Sequence, residues 1–319
     1  MDAAALLRDA IVYDAHAGFW PRAEMDLAVL ARWRHAGVSF LSVNVGFDVL
    51  PFPAAVRNLA AFRGYIQANP DRYVLVERAG DIRAAKAAGK LGVAFDIEGM
   101  EALGGQVEMI EAYHRLGVRQ ALFAYNLNNA AAGGCHDDDH GLTAYGRAIL
   151  AAMNGVGMLV DCCHVGRRTS LDLIAHSAAP VVFSHCVPTA IALHPRNVDA
   201  EQMRACAATG GVIGITGVGR FLDDPAARPE TFVRAVDVAV QTVGAAHVGL
   251  GLDYTWETSA SAGGMRFWPP EHYQGSFTFL PPERLGEITE GLLRLGYGEA
   301  DLRAILGGNF MRVAEAVWG

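Results

Sequence analysis

Short apolar runs rich in β-branched residues alternate along this chain with longer segments that repeat apolar residues at helical spacing. Eight runs predict strands, at residues 10–14, 38–45, 91–97, 120–125, 157–161, 180–184, 211–216 and 248–253. A shorter run at residues 73–77 predicts a small additional strand. Between most of the runs, apolar residues recur at i, i+3 and i+4, as in residues 107–116 and 231–243, which predicts amphipathic helices.

This alternation predicts the fold class. Continuous apolar strands separated by helices indicate a parallel sheet that is covered on both faces. Eight such strands within about 250 residues match the size of a closed barrel. A doubly wound open sheet is the alternative, but no GxGxxG or GxxxxGK[ST] motif favours it. We therefore predict an α/β fold, a (β/α)8 TIM-type barrel that forms one domain over residues 1–319.

The composition indicates a large apolar core and no surface for nucleic acid. Hydrophobic residues make up 52% of the 319 residues and charged residues 19%, which excludes a disordered chain. The formal net charge is -8, from 26 basic and 34 acidic residues. Because the basic residues form no block, we expect no nucleic-acid partner.

The sequence also predicts a cytoplasmic protein without a membrane partner. Its N-terminus lacks the basic region of a secretory signal, and it contains no run of about 18 apolar residues that would span a bilayer. The five cysteines are an odd number and lie mostly in strand-like runs. That pattern favours reduced thiols over a disulfide framework.

Polar and titratable residues cluster where the predicted strands end, which is where the active site of a (β/α)8 barrel lies. They are Asp14, His16, Asp96, Glu98, Asp161, His164, Ser184, His185 and Asp253. Taken alone, a histidine at a strand end is commonly a hydrogen-bonded structural residue, and an aspartate is commonly a helix N-cap. The significance of these residues therefore lies in the set.

Five members of that set predict a metal site. Three histidines of the set, His16, His164 and His185, would meet two of its carboxylates at one rim of the barrel. Without a cation, their desolvation and mutual repulsion would cost several kcal/mol. Imidazole and carboxylate ligands together suit Zn²⁺, or a related first-row metal such as Mn²⁺ or Fe²⁺.

Three stretches follow one another in the second half of the chain. They are Leu-Val-Asp-Cys-Cys-His-Val-Gly at 159–166, Pro-Val-Val-Phe-Ser-His at 180–185 and His-Pro-Arg-Asn-Val at 194–198. They resemble the Asp-Leu-x-His-Val-Ser, Phe-Ser-His and Arg-Asn-Val stretches of the membrane dipeptidase (renal dipeptidase) family of zinc peptidases, in the amidohydrolase-like superfamily. The paired histidines with Arg-Asn-Val are the specific part of the resemblance.

The resemblance extends over nearly the whole chain. It includes Asp-Ala-His at 14–16, Ile-Glu-Gly at 97–99, Gly-Val-Arg at 117–119 and Gly-Leu-Gly-Leu-Asp at 249–253. It implies a two-metal zinc centre whose ligands are Glu98 as the bridge, His164 and His185 for one metal, and His16 with a weakly bound Asp253 for the other. It also suggests a homodimer, on which the residues themselves are silent.

The resemblance further implies a mechanism for amide hydrolysis. A hydroxide held between the metals would attack the carbonyl, and Asp253 would pass its proton to the leaving amine. Arg196 would bind the α-carboxylate of a small substrate, a task that suits a planar guanidinium group. Arg196 alone has another explanation, as a surface residue near the start of a helix.

Two positions depart from the family pattern. The family has His-x-Asp after the first strand, where this chain has His16, Ala17 and Gly18, so one carboxylate ligand is lost. We expect the metal position shared by His16 and Asp253 to be weak or empty. Tyr125 aligns with a family histidine that polarises the substrate carbonyl. Its hydroxyl can donate the same hydrogen bond, or its ring can serve only packing.

The loops that follow the strands carry further candidate residues. The stretch 133–141 contains Cys135, His136 and His140, which would supply a replacement ligand or a substrate contact; a solvated acidic turn is the other explanation. Four aromatic residues in predicted mouth loops would line a substrate pocket or pack in the core: Trp20, Tyr254, Trp256 and Trp268.

Three functions are consistent with these residues. The first is a dipeptidase-like metallohydrolase that cleaves the amide bond of a small carboxylated substrate. The second is a related hydrolase that acts on an N-acyl amino acid, a cyclic amide or a lactone, which the altered residues Gly18 and Tyr125 favour. The third is a catalytically weak barrel that binds a metabolite. The presence of Glu98, His164 and His185 argues against the third, because a binding protein needs no metal bridge.

Overall fold

The computed structural model describes residues 2–18, 20–255 and 266–319. Within them, nine parallel strands form one sheet: β1 (Tyr13–Ala17), β2 (Phe40–Phe47), β3 (Tyr73–Leu75), β4 (Leu91–Glu98), β5 (Val118–Leu122), β6 (Leu159–Asp161), β7 (Val181–Cys186), β8 (Val212–Ile215) and β9 (Val248–Leu250). Because β9 pairs with β1 and β2 pairs with β4, eight of the strands close into a barrel. The predicted (β/α)8 barrel is confirmed, and the open-sheet alternative is wrong.

Strand β3 is the small additional strand that the sequence predicts. It pairs with the first half of β4, from Tyr73 opposite Leu91 to Leu75 opposite Val93. Strand β5 pairs with the second half of β4, beginning with Val118 opposite Phe95. The long strand β4 therefore has two successive partners on the same edge, and β3 lies outside the closed ring.

Helices alternate with the strands and cover the barrel. Those within the described ranges are α1 (Ala3–Asp9), α2 (Ala31–His35), α3 (Phe52–Ala68), α4 (Ala79–Ala87), α5 (Met109–Arg115), α6 (Ala144–Val156), α7 (Arg167–His176), α8 (Ala200–Ala208), α9 (Pro229–Val243), α10 (Leu285–Arg294), α11 (Glu299–Arg303) and α12 (Asn309–Trp318). None of these helices is both long and apolar enough to cross a membrane.

The two ends of the barrel differ. At the amino-terminal ends of the strands, Phe310 of α12 stacks on Tyr13 of β1 with ring centroids 5.0 Å apart. A side chain at Gly249, in β9, would collide with the same Phe310 ring, so the helix packs directly on the strand backbone. Apolar side chains fill this end of the barrel. The polar and titratable side chains lie at the carboxyl ends of the strands.

Several strand bounds differ from the predicted ones. Strand β1 starts at Tyr13 rather than at residue 10, because Ala10 ends α1 and its N–H donates to Leu6. His16 therefore lies inside β1, and His185 lies inside β7 rather than beyond it. Conversely, β5 ends at Leu122, so Tyr125 lies beyond the strand. Apolar runs alone do not separate a strand from the residues that lead into it.

Asp14 has a structural role in closing the barrel. Its carboxylate accepts hydrogen bonds from the backbone N–H of Leu252 and from Nε1 of Trp33, each at 2.8 Å. These bonds join β1 to the segment after β9 and to helix α2. The carboxyl group is buried, and burial raises its pKa to about 6.

We expect Asp14→Ala to lower the free energy of unfolding by about 3 kcal/mol, because two buried N–H donors lose their acceptor. Denaturation in urea measures the change. The matched control is Asp9→Ala, since Asp9 is exposed and forms a surface ion pair with Arg8, and it should cost less than about 0.5 kcal/mol. Equal losses in the two variants would show that the Asp14 hydrogen bonds do not stabilise the closure.

Candidate metal centre

Three imidazole nitrogens converge on one carboxylate oxygen at the carboxyl end of the barrel. The Nε2 atoms of His16, His164 and His185 lie 3.4, 3.2 and 3.5 Å from Oε1 of Glu98. The Nε2 atoms of His164 and His185 are 2.9 Å apart. All four side chains are buried, and we call them the Glu98 cluster. The structure thus brings together four of the five predicted metal ligands, from β1, β4, β7 and the loop after β6.

The other ring nitrogen of each histidine has its own partner. Nδ1 of His16 lies 3.3 Å from Asp96 Oδ2. Nδ1 of His164 lies 2.7 Å from Asn126 Oδ1, and Nδ1 of His185 lies 2.7 Å from Ser184 Oγ. The Asn126 amide is oriented by its Nδ2, which donates to the carbonyl of Phe267, so its Oδ1 accepts. The Ser184 hydroxyl donates to Asp161 and therefore accepts from His185.

These contacts decide where the protons lie on two of the rings. His164 and His185 each carry a proton on Nδ1, and burial lowers the pKa of both rings, so their Nε2 atoms present lone pairs. Those lone pairs face each other and Glu98, whose Oε1 has no hydrogen-bond donor among the described residues. A divalent cation relieves this repulsion, so the Glu98 cluster fits a metal.

His16 differs because it lies between carboxylates. Burial lowers its pKa, but Asp96 and Glu98 outweigh burial and raise the pKa well above its usual value. For the Glu98 carboxyl group, burial itself raises the pKa, to about 8. A proton and a metal ion therefore compete for this half of the cluster, and metal affinity should increase with pH.

Asp253, the fifth predicted ligand, lies beside His16. Its Oδ1 is 3.8 Å from His16 Nε2, and its backbone N–H donates to the His16 carbonyl at 3.0 Å. Its backbone is left-handed, with φ of 53°, a conformation that costs energy outside glycine. Burial raises the pKa of its carboxyl group to about 6. Asp253 is therefore held at the edge of the cluster by its backbone.

The position of Asp253 explains why glycine fits at position 18. A Cβ atom built on Gly18 would lie 1.8 Å from Asp253 Oδ1 and 3.3 Å from His16 Nε2. The Asp253 carboxylate thus takes the space that a side chain at position 18 would need. The missing family aspartate does not leave this side of the cluster without a carboxylate.

Arg196 is buried next to His185 and Phe221 rather than placed on the surface. Only 3% of the residue is exposed, and Nη2 donates to the carbonyl of His185 at 3.3 Å. Its guanidinium carbon lies 5.3 Å from the centroid of the Phe221 ring, and its Nε has no acceptor in the described part of the chain. A buried cation beside the Glu98 cluster with an unused donor is suited to bind an anionic group.

Tyr125 borders the cavity, and a residue that the sequence analysis missed holds it. Its ring stacks on His164 at 4.2 Å, and its backbone N–H donates to Asp48 Oδ2 at 3.0 Å. The buried Asp48 also accepts from the N–H of Glu101 and from Nδ2 of Asn129, so it ties together the loops after β4 and β5. Asp48 directly follows β2, so the strand-end rule that identified the other residues would have found it.

The stretch 133–141 supplies no ligand to the Glu98 cluster. Nε2 of His136 lies 2.8 Å from the Tyr273 hydroxyl, and Nδ1 of His140 contacts the Gly141 carbonyl. Asp139 accepts from the N–H groups of Arg168 and Thr169 at the start of α7. Asp139 thus packs the loop against a helix terminus, whereas Asp137 and Asp138 are exposed, as the solvated-turn explanation predicts.

A cavity of about 310 Å³ opens above the Glu98 cluster. Its aromatic lining residues are Trp20, Phe47, Tyr125, Phe221, Trp268, Tyr273, Phe277 and Phe279. Of the aromatic residues predicted either to line a pocket or to pack in the core, Trp20 and Trp268 line the cavity, whereas Tyr254 packs on Trp33. Trp256 lies outside the described residues. The sequence signal for the remaining rings is weak, because aromatic residues in loops also occur in cores.

Comparisons with known proteins agree on one family. The family model of membrane dipeptidases (peptidase family M19) matches residues 21–266. Dipeptidase tcpJ from Claviceps purpurea is 29% identical over 252 residues, which cover 77% of this chain and 56% of that protein. The chain therefore spans little more than half of this relative.

Solved structures share the whole fold. An amidohydrolase from Pseudomonas aeruginosa is 30% identical and superposes with a TM-score of 0.91, over 100% of both chains. A metallopeptidase from Rhodobacter sphaeroides, liganded with a phosphinate mimic of the dipeptide L-Ala-D-Ala, is 19% identical with a TM-score of 0.81, over 97% of this chain and 100% of that chain. At that identity the second structure supports the fold alone.

We expect Gly18→Ala to weaken metal binding about tenfold, because the added methyl group displaces the Asp253 carboxylate from His16. Competition of Zn²⁺ with a chromophoric chelator measures the affinity. The control is Gly64→Ala, since Gly64 lies in helix α3 with open space at its Cβ position. If Gly18→Ala binds Zn²⁺ as tightly as the parent protein, Asp253 does not contribute to the site.

Proposed function

This chain belongs to the membrane dipeptidase family, and we propose that it is a metal-dependent hydrolase that cleaves the amide bond of a dipeptide or a similar small substrate with a free carboxylate. The observation that carries the proposal is the convergence of three Nε2 atoms on one oxygen of Glu98. The cavity above this cluster and the buried Arg196 beside it provide room for a small substrate and a partner for its carboxylate.

We assign zinc to the Glu98 cluster, because imidazole nitrogen and carboxylate oxygen are ligands that Zn²⁺ prefers. His164 and His185 would hold one ion together with Glu98. His16 would hold a second ion together with Glu98 and Asp253. When bound, a divalent metal supplies Lewis acidity, which polarises an amide carbonyl and lowers the pKa of water.

The residues around the cluster have defined tasks in this proposal. Asp253 borders the cavity and would take a proton from the attacking water and return it to the leaving amine. The Tyr125 hydroxyl would donate a hydrogen bond to the substrate carbonyl. Burial, and to a smaller extent the nearby Glu98 carboxylate, raises the pKa of this hydroxyl, so it stays protonated. Arg196 would bind the carboxylate, which keeps the scissile amide over the cluster.

A hydrolase of altered specificity is the second candidate, and two observations favour it. Gly18 and Tyr125 replace family residues on the side of the site that borders the cavity. The aromatic rings around the cavity offer apolar contacts rather than charged ones. An N-acyl amino acid has the same amide and carboxylate as a dipeptide, so the proposed chemistry serves both.

The experiment that tests the proposed function measures metal content per chain and dipeptide hydrolysis on the same preparation. A ninhydrin screen of L,L- and L,D-dipeptides with added Zn²⁺ should detect released amino acid. We expect His185→Ala to lose metal and to lose at least 99% of the activity, because removing a ligand removes the Lewis acid. His176→Ala, at an exposed histidine on α7, should retain both. Normal hydrolysis by metal-free His185→Ala would refute the mechanism.

We expect Arg196→Ala to raise KM roughly 10- to 100-fold for substrates with a free carboxylate and far less for the same substrates as C-terminal amides, since a charge-assisted hydrogen bond is lost. Comparing the two substrates within one variant removes any effect of altered stability. Arg312→Ala, at an exposed arginine on α12, is the matched control. An equal rise in KM for both substrates would exclude the carboxylate-binding role.

A further inference from the structure

The cavity above the Glu98 cluster has two aromatic walls. We call the rings Trp20, Phe47, Tyr125 and Trp268 the first wall. Phe47 lies 4.9 Å from Trp20 and 5.1 Å from Tyr125, both edge to face, and Trp268 lies 5.8 Å from Trp20 and from Tyr125. These contacts join the four rings into one continuous apolar surface whose edge-to-face geometry stabilises it.

The second wall consists of Phe221, Tyr273, Phe277 and Phe279. Phe277 stacks on Phe279 at 6.0 Å and lies 5.8 Å from Tyr273, which in turn lies 6.4 Å from Phe221. Arg196 adjoins this wall, because its guanidinium carbon lies 5.3 Å from the centroid of the Phe221 ring. A substrate carboxylate bound by Arg196 therefore places the carboxylate-bearing half of the substrate beside the second wall.

The acyl half of the same substrate lies across the scissile amide from the carboxylate half, and the first wall is the other aromatic part of the cavity lining. Tyr125 connects this wall to the cluster, since its ring stacks directly on His164 of the cluster. The first wall offers ring faces and edges and no formal charge. An aromatic acyl group would bury most of its surface there, with the apolar area removed from water as the driving force.

Few of the described residues that line the cavity can carry a charge. Among the described lining residues, the titratable ones apart from tyrosine are Glu98, His164 and Asp253. The guanidinium group of Arg196 adjoins this lining at Phe221. Both carboxylates belong to the metal centre of the proposed function, so neither is free to pair with a substrate ammonium group. Gly18, next to the first wall, provides no side chain to replace them. An α-ammonium group in the acyl half would lose its hydration without gaining an anionic partner among the described lining residues.

We infer that the preferred substrate is an N-acyl amino acid whose acyl half is aromatic and uncharged, an inference that rests on the proposed function. The carboxylate half is bound by Arg196, and the acyl half is bound by the first wall. Hydrolysis adds water across the amide, so the C–N bond breaks and the products are an aromatic carboxylic acid and a free amino acid. No oxidant, reductant or further reactant is required.

Three matched substrates test this inference with the zinc-loaded protein. N-(3-phenylpropanoyl)alanine and phenylalanylalanine differ only in the α-amino group, and N-acetylalanine lacks the ring. Each is assayed with L- and with D-alanine, and released alanine is quantified. We expect kcat/KM for the phenylpropanoyl substrate to exceed that for phenylalanylalanine at least tenfold and that for N-acetylalanine about 100-fold.

Variants of the first wall locate the effect. Trp268→Ala and Trp20→Ala should each lower the ratio of kcat/KM for the phenylpropanoyl substrate to that for N-acetylalanine about tenfold, because the ring loses its contact surface. The matched control is Trp318→Ala, since Trp318 ends α12 and its Nε1 donates to the Arg119 carbonyl, away from the cavity. It should leave the ratio unchanged. Because the ratio compares two substrates in one variant, loss of folded protein does not affect it.

The outcomes separate this inference from the proposed function. If phenylalanylalanine is hydrolysed as well as or better than the phenylpropanoyl substrate, the inference is wrong and the dipeptidase function stands. If N-acetylalanine is hydrolysed equally well, or the wall variants leave the ratio unchanged, the acyl half does not bind the first wall. If the zinc-loaded protein hydrolyses none of the three substrates and no dipeptide, both proposals are wrong.

Discussion

The repulsion between nitrogen lone pairs and one carboxylate oxygen is the constraint on which this molecule depends. His164 and His185 present Nε2 atoms 2.9 Å apart, and both face Oε1 of Glu98, an atom that has no hydrogen-bond donor among the described residues. Without a cation, this arrangement costs free energy that the rest of the fold must supply. A metal ion converts the same geometry into a set of bonds, so the site is organised for a ligand that the chain cannot replace with a hydrogen bond.

The surrounding structure maintains that arrangement. Hydrogen bonds at Nδ1 orient each ring, and Asp161 supports the Ser184 hydroxyl that orients His185. Three residues around the site, Asn126, His164 and Asp253, have positive φ angles of 64°, 62° and 53°. Such backbone strain persists only where neighbouring contacts over-determine it, and these three residues lie in or beside the Glu98 cluster.

Chemistry and selectivity are separated within the barrel. The Glu98 cluster is built on strands and strand ends, whose positions are set by backbone pairing. The walls of the cavity are rings carried mainly by loops, which can change without disturbing the cluster. Gly18 and Asp253 lie between these two layers, where the Asp253 carboxylate takes the space of an absent side chain. Membership of the family thus constrains the reaction more closely than it constrains the substrate.

The sequence by itself determined the barrel, the family and the identity of the residues that meet at its mouth. Strands covered on both faces must be apolar throughout, and parallel strands need helical crossovers, so both features are visible as a one-dimensional pattern. The tertiary structure alone decided that Asp14 serves closure, that Asp48 holds Tyr125, that Asp253 reaches the space beside Gly18, and that Tyr254 packs away from the cavity. These facts depend on distances between segments far apart in the chain. Such distances follow from strand register and loop packing, which hydrophobic periodicity does not encode.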